Sequence, residues 1–356
     1  MNPDQVVEIR PVEDLSALAP IWLDLESRSD GSFFQSWAWT GCLAEERFDE
    51  PWLMIARRSD RPVALALFNR GPRRRLRRSR SLLLAESGDA RRDSIFIEHS
   101  GLLVDRGEPP ELARSCWAAL ARAKDTGLSR STWVLSGVAD TVLRDLPEAR
   151  LQRVIARRPA PRLVFDRIAS ATSALEALSP NTRQQLRRSL RSWEGIGAPT
   201  LEVAADSERA DIFLGELKSL HQRYWIGRGK PGAFAEPFFE RFHRALIRRA
   251  GPGQRLDLIR FSAGERVMGY LYNLVHHGWV AAYQSGFDFA LDSNRLRPGL
   301  VCHLLAIEHY RKAGARLYDF LGGEARYKRS LANDETELVW LEGRLRLLPR
   351  LGTARG

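Results

Sequence analysis

Apolar residues along this chain fall into short runs that read as strands, separated by longer stretches in which they recur every three or four positions as on a helix face. The segments 52–69 and 256–272 each predict two strands joined at a polar turn. These hairpins echo one another. Ser59-Asp60-Arg61-Pro62-Val63-Ala64-Leu65-Ala66-Leu67-Phe68-Asn69 lies without a gap over Ala263-Gly264-Glu265-Arg266-Val267-Met268-Gly269-Tyr270-Leu271-Tyr272-Asn273. The echo continues with Ser100-Gly101 against Ser285-Gly286, then a helical stretch, then Gly127 against Gly314 ahead of an apolar strand. A duplicated module explains this pattern with one assumption. The expected fold is α/β, two tandem modules, each a mixed and mainly antiparallel sheet flanked by helices.

Between the strands, residues 10–30 predict an irregular opening and a short helix, and the cluster Phe33-Phe34-Gln35-Ser36-Trp37-Ala38-Trp39 opens a helix running to about Arg47. Glu111 to Lys124 has helical spacing, bounded by Pro109-Pro110 and Gly127. Thr132-Trp133-Val134-Leu135 reads as a buried strand. Arg157-Arg158-Pro159-Ala160-Pro161 is the candidate linker, because its prolines break both helix and central strand. The modules are accordingly placed at 1–158 and 159–356.

The second module opens on a strand at Leu163-Val164-Phe165 and a helix for which Ser179 is the N-cap and Pro180 the first helical residue. Leu186, Leu190 and Trp193 share one face of that helix; Arg183, Arg187, Arg188 and Arg191 decorate the others, as a solvated face or a nucleic-acid stripe. Helices follow near 209–224 and 238–248, and a strand at 279–287. The loop Trp225-Ile226-Gly227-Arg228-Gly229-Lys230-Pro231-Gly232 is glycine-rich but lacks the residue order of a nucleotide P-loop, so it reads as a flexible loop on the substrate side.

Composition narrows the class. With 356 residues, 44% apolar and 9% aromatic, the chain can bury two cores. No run approaches the roughly 18 apolar residues of a membrane span, and the first residues lack a basic segment followed by an apolar one, which predicts a cytoplasmic protein. Cys42, Cys116 and Cys302 are distant from one another and without metal-ligand spacing, so buried free thiols are expected, with no metal. The net charge of +11 and pI of about 10.1 suggest an anionic partner: nucleic acid, a phosphorylated cofactor or a membrane surface. Lys124, Lys218, Lys230, Lys312 and Lys328 are the only lysines, so the excess is arginine, concentrated in Arg73-Arg74-Arg75-Leu76-Arg77-Arg78-Ser79-Arg80. That run is either a solvated loop or a phosphate or RNA contact.

The candidate chemistry lies near the end of the second copy. Arg297-Pro298-Gly299 starts a helix to about Lys312, followed by the strand Leu317-Tyr318-Asp319-Phe320-Leu321, a crossover to a parallel strand. Unpaired N–H groups and the helix dipole favour an anion at such a start. Pro298 presets the turn, Gly299 admits close approach and Arg297 adds charge. Only the second copy carries Asp319, Glu324, Tyr327 and Lys328 just past its last strand. Asp319 alternates with Tyr318 and Phe320 and faces away from both. Cys302 and His303 point about 100° apart on a helix, which rules out a dyad, and His303 reads as a core-edge histidine. His276 and His277 face opposite sides of a strand and share no metal.

The order hairpin, Ser285-Gly286-Phe287-Asp288, Arg297-Pro298-Gly299, long helix, Tyr318-Asp319-Phe320-Leu321-Gly322-Gly323-Glu324, Tyr327-Lys328 resembles the GNAT-type acyltransferases of the CelD/BcsL group, found with bacterial cellulose and exopolysaccharide genes. Phe34-Gln35-Ser36 with Trp37 and Trp39 also resembles that group, and the architecture is similar to the two-module FemABX aminoacyl-transferases. The resemblance implies two GNAT-like modules and direct transfer of an acetyl or other acyl group from acetyl-CoA, or another acyl-CoA, to an amine of a sugar or small metabolite, without a covalent intermediate. It implies that backbone near Gly286 and Phe287 faces the oxyanion, that Arg297, Pro298, Gly299 and Lys328 serve the cofactor, and that Tyr327 is the acid. Glu324, expected to be partly buried with a raised pKa, is the preferred base, and Asp288 the second choice. Lys328 has a cofactor phosphate or Glu324 as its partner. Gln35, Trp37 and Trp225 are the candidate acceptor-site residues. The first module is expected to be structural and to shape an acceptor cleft between the modules. One departure concerns the donor: at the ends of the usual phosphate loop stand Leu296 and Val301. The alternatives are an aminoacyl-transferase using charged tRNA, with 73–80 and 183–191 as its footprint, and a non-catalytic RNA-binding or scaffold protein.

Overall fold

The computed structural model describes residues 5–71, 81–122, 132–146, 152–253, 255–290 and 293–344. The chain divides into two compact units, Met1–Arg157 with Leu338–Gly356, and Arg158–Glu337. The elements in order are β1 (Gln5–Pro11), α1 (Leu15–Ser27), α2 (Trp37–Glu46), β2 (Pro51–Arg58), β3 (Arg61–Arg70), β4 (Ser81–Leu84), β5 (Leu103–Val104), α3 (Glu111–Arg122), β6 (Thr132–Ala139) and α4 (Val142–Asp145). Then come β7 (Gln152–Val164), α5 (Pro180–Glu194), β8 (Pro199–Val203), α6 (Ser207–Ile226), α7 (Pro237–Ala250), β9 (Leu256–Ala263), β10 (Arg266–His276) and β11 (Trp279–Phe287). The last are α8 (Ser293–Leu296), α9 (Pro298–Lys312), β12 (Leu317–Asp319), α10 (Arg326–Leu331) and β13 (Asp334–Arg344).

Each unit is a mixed, mainly antiparallel sheet flanked by helices. In the first, the strand order is β1-β2-β3-β4-β6-β13, with β5 also on β3, and the parallel pair is β4 with β6. In the second, the order is β7-β12-β11-β10-β9-β8, and the parallel pair is β11 with β12. Parallel neighbours need a crossover, which α9 supplies between β11 and β12. The repeated hairpins are β2–β3 and β9–β10. Trp52, Phe68, Trp117 and Trp133 anchor one core; Trp193, Phe261, Val301 and Tyr318 anchor the other.

Local signals account for the helices. Ser179 Oγ accepts from the Thr182 N–H at 3.4 Å and Pro180 occupies the first turn of α5, as its sequence predicts. Trp193 is fully buried and its indole N–H donates to the Leu296 carbonyl at 2.8 Å, tying α5 to the approach to α9. Four arginines leave the other faces of α5 polar; two of them, Arg183 and Arg187, pair with Glu176. Among the described residues no helix is long and apolar enough to cross a membrane. Cys42, Cys116 and Cys302 are buried. Gly127 and the basic run 73–80 lie outside the described residues.

Two expectations need correction. Residues 157–161 are not a linker but part of β7, despite Pro159 and Pro161. Both prolines contribute carbonyls, Pro161 to the Phe320 N–H at 3.0 Å and Pro159 to the Gly323 N–H at 2.8 Å, so on that side the missing donors are not required. Where the sequence reading carries the second module to residue 356, β13 pairs antiparallel with β6 from Leu338↔Ala139 to Arg344↔Thr132 and buries Leu338, Val339 and Leu341. A chain end that returns to an earlier sheet leaves no local mark in the sequence.

Candidate active site

The second unit holds a wedge between its parallel strands. β11 and β12 pair at Trp279↔Leu317, Val280↔Tyr318 and Ala281↔Asp319. Beyond that point β12 ends, while β11 continues to Phe287, paired on its other side with β10. The β10–β11 register slips between Tyr272 and Asn273, which face Gln284 and Ala282 and leave Tyr283 as the extra residue. Such a bulge bends a strand and re-aims it. The backbone of β11 past Ala281 therefore borders an opening on the side from which β12 has turned away.

The chain leaving β12 is pinned into a tight turn. Asp319, fully buried, accepts the Leu321 N–H at 2.7 Å. Leu321 takes a positive φ of 62° and Gly323 one of 136°, the left-handed side of the map where glycine is favoured. Lys328 Nζ donates to the carbonyls of Leu321 at 3.1 Å and Gly322 at 2.9 Å, and the proline carbonyls of β7 hold the opposite side. The lysine thus finds backbone oxygens, not the carboxylate of Glu324. Glu324 is exposed, where partial burial was expected. Its glycine-rich turn is anchored through the backbone, so the side chain projects from it.

The start of α9 forms the other border. Arg297 caps it in the left-handed region, φ 44° and ψ 57°, without a side-chain cap on the helix. Its guanidinium is instead met by Gln185, whose amide oxygen, in the orientation that satisfies both groups, accepts from both terminal nitrogens at 3.0 Å. Pro298 is buried. Gly299 is packed against Phe287: a Cβ there would stand 3.1 Å from the ring. The glycine admits that aromatic ring, and Phe287 holds β11 against the helix start.

Helix α6 crosses β11 at Gly286, where an added Cβ would come within 2.4 Å of the Leu217 carbonyl oxygen. Beside this contact His221 donates from Nδ1 to the Ser285 carbonyl at 2.9 Å, and its Nε2 accepts the Ala233 N–H at 3.2 Å. An imidazole serving both partners is neutral with its proton on Nδ1; burial lowers its pKa. Asp288 is committed to Arg266 at 2.9 Å, Arg223 at 3.1 Å and the Ala290 N–H at 3.0 Å, a bracing arrangement that occupies its lone pairs.

A line of rings joins these borders. Trp225 meets Tyr224 at 5.5 Å between centroids, Tyr224 meets Phe289 at 4.7 Å, Phe289 meets Phe287 at 6.1 Å, Phe287 meets His303 at 5.9 Å, and His303 stacks on Tyr327 at 5.3 Å. Lys230 also lies over Trp225, 5.4 Å from its centroid. The predicted residues Trp225, Phe287 and Tyr327 are thereby connected, through Tyr224 and Phe289, which sequence reasoning passed over. Tyr327 is 36% exposed, yet desolvation, and secondarily the Tyr224 phenol, pushes its pKa up to about 12. Gln35 and Trp37 belong to the first unit. Gln35 accepts from the Ser32 N–H at 2.9 Å and donates to the Leu102 carbonyl at 2.6 Å; Trp37 is buried, 5.9 Å from Trp22. Burial raises the Cys302 thiol well above its usual pKa, so it is no nucleophile. Among the described residues no three His, Cys, Asp or Glu side chains are grouped to hold a metal.

Residues 180–329 match the family model described as acetyltransferase (GNAT) domain. The second unit therefore carries a GNAT-type acyltransferase domain. Among solved structures the chain is similar to FemX (TM-score 0.60, 11% identity, 93% of this chain and 96% of that one). It is also similar to a conserved protein of unknown function from Bacteroides thetaiotaomicron (0.57, 10%, 96% and 100%). A third is the C-terminal domain of a protein described as a lysylphosphatidylglycerol synthetase from Agrobacterium fabrum (0.54, 11%, 92% and 92%). At these identities the likeness speaks for the fold alone. No curated protein matches the sequence.

Proposed function

We propose that the second unit transfers an acyl group, acetyl in the simplest case, from the thioester of CoA to an amine of a sugar or other small metabolite, as in exopolysaccharide or cellulose biosynthesis. The observation that carries this reading is the parting of β11 from β12 beside the uncapped start of α9. A thioester arm entering the wedge adds to the free side of β11. A backbone N–H near Gly286 and Phe287 then faces the carbonyl oxygen, where negative charge develops. The pyrophosphate lies at the helix start, met by the first free N–H groups, the dipole and Arg297. The amine attacks the carbonyl carbon, its proton passes to Glu324, and the carbon–sulfur bond breaks. The thiolate leaves hydrogen-bonded to the Tyr327 hydroxyl, a phenol that stays protonated throughout the neutral range. Lys328 holds the turn that presents both groups.

The rival donor is an aminoacyl-tRNA, supported by likeness in fold to FemX and to the lysylphosphatidylglycerol synthetase domain. The pairing of Arg183 and Arg187 with Glu176 speaks against α5 as its phosphate footprint. Calorimetric titration with acetyl-CoA at two salt concentrations separates the two. Micromolar binding that responds mildly to salt, and that Arg297→Glu weakens at least tenfold, supports the CoA reading. No heat with acetyl-CoA, together with steeply salt-dependent tRNA binding, refutes it.

A further inference from the structure

We infer that His303 belongs to the reaction centre as a neutral imidazole that donates its Nε2–H to the carbonyl oxygen of the bound thioester; this rests on the CoA reading above. His303 lies one turn beyond Gly299 on the same face of α9. Its ring is bracketed by the two sides of the wedge: Phe287 of β11 at 5.9 Å, Phe320 beyond β12 at 5.6 Å, and Tyr327 of α10, stacked at 5.3 Å with 21° between planes. The residue is 2% exposed, and Nε2 has no hydrogen-bond partner among the described residues. A histidine kept only for packing ordinarily satisfies both nitrogens when buried. Here a single nitrogen is satisfied, inside the wedge, beneath a tyrosine ring that is itself partly accessible.

The other nitrogen fixes which proton is presented. His303 Nδ1 is 3.0 Å from the Tyr318 hydroxyl. Behind it runs a buried chain in which Asn273 Nδ2 donates to the Tyr310 oxygen at 3.2 Å and the Tyr310 hydroxyl donates to Asp257 at 2.6 Å. The Tyr310 and Tyr318 rings pack at 6.0 Å between centroids. The Tyr318 hydroxyl has one proton to give and Nδ1 is the acceptor in reach, and an imidazole that accepts at Nδ1 carries its hydrogen on Nε2. The groups packed around the ring oppose a positive charge. Tyr318, Tyr327 and Phe287 are neutral, Cys302 is a buried thiol, and Lys328 is cationic; burial first and Lys328 second lower the pKa to about 3. The residue is thus suited to give a hydrogen bond to developing negative charge and unsuited to act as a base.

The test is read first by NMR of 15N-histidine-labelled wild-type protein. The expected spectrum shows His303 as the neutral Nε2–H tautomer down to pH 5. Acetyl-CoA shifts its Nε2 resonance, whereas S-ethyl-CoA, which lacks the carbonyl, binds and leaves it in place. His303→Phe, which keeps an aromatic ring against Tyr327, lowers kcat by about 100-fold with KM for the donor within threefold, and His303→Gln, which retains an N–H donor, recovers part of the loss. An imidazolium or Nδ1–H form at pH 7, equal shifts with both ligands, or full kcat in His303→Phe overturns the inference and leaves the CoA reading intact. Failure of the wild type to bind acetyl-CoA overturns both.

Discussion

Alanine in place of glycine should have opposite effects at two positions of α6 and the strand beneath it. At Gly286 an added Cβ meets the Leu217 carbonyl oxygen at 2.4 Å and its carbon at 3.1 Å. These are backbone atoms of a long helix, so the contact is relieved only if α6 or β11 shifts by several tenths of an ångström. Overpacking of this kind costs about 1–3 kcal/mol, and the upper part of that range applies because no flexible side chain can yield. Gly215, within α6 itself, has nothing within 4 Å of its added Cβ. There alanine restricts the unfolded chain without a clash and stabilises by about 1 kcal/mol. Urea unfolding followed by tryptophan emission measures both. With a slope of about 2 kcal/mol per molar, Gly286→Ala moves the midpoint down by roughly 1 M and Gly215→Ala moves it up by roughly 0.5 M. Gly286→Ala also displaces the β11 backbone at the wedge, so acetyl-CoA binding weakens in that variant and not in Gly215→Ala. A Gly286→Ala protein with the wild-type midpoint refutes the claim that the helix backbone is seated on this glycine.

The remaining predictions concern the same unit. Tyr327→Phe keeps the stacking on His303 and removes the hydroxyl; kcat falls by about 100-fold or more while the urea midpoint is unchanged, and a wild-type kcat excludes Tyr327 from sulfur departure. His243, His276 and His303 are buried and neutral, with burial the main cause lowering each pKa to about 3. Since the unfolded imidazole takes a proton near pH 6.5, the stability they permit is complete above that value and declines as pH falls toward 3. Between pH 7 and 5 each costs about 2 kcal/mol, so the midpoint of the second unit drops sharply across that interval, and an unchanged midpoint refutes the neutral assignment. His221 acts in the same direction on a local scale. Its protonation removes the acceptor for the Ala233 N–H, so hydrogen exchange at Ala233 accelerates on acidification before the global transition.

What the sequence disclosed follows from how local each feature is. Hairpins β2–β3 and β9–β10, helix α5 with its Ser179 cap and helix α9 after Pro298 are written in contiguous residues, and each stands where its pattern predicted. Prolines 159 and 161 misled because the side of a strand that needs donors is set by its neighbour, and that neighbour lies far along the chain. Glu324 misled for a related reason: its burial depends on walls that no residue near it specifies. Tyr224 and Phe289 were missed because an incompletely buried aromatic signals nothing until its ring neighbours are known, and those neighbours come from both α6 and the β11 end. His303 reads in the sequence as a core-edge histidine because of its spacing with Ile307 and Tyr310. What points the other way, the Tyr318 hydroxyl at Nδ1 and an Nε2 with no partner among the described residues, depends on elements outside α9.

The two copies also differ where the proposed site lies. In the first unit the counterpart of β11 is broken: β4 pairs with Arg70–Phe68, the chain leaves the sheet at Ala85 in the left-handed region, and β5 returns to pair with Leu65 and Ala64. The returning chain does not leave a gap beside β6. Ser100 bridges Val138 in parallel and its N–H donates to the Gly137 carbonyl at 3.1 Å, extending the ladder that begins at Ser81↔Thr132. Gly137 itself, at φ 62°, is pressed by the Ile97 carbonyl, whose oxygen stands 2.3 Å from the position of an added Cβ. Among the described residues the strands of the first unit thus remain laced where those of the second part. On the proposed reading a thioester arm has no free strand edge to join there, so a base or acid placed past β6 would have no substrate to act on. The absence of a counterpart to Glu324, Tyr327 and Lys328 after Leu135-Ser136-Gly137 accords with that closed ladder.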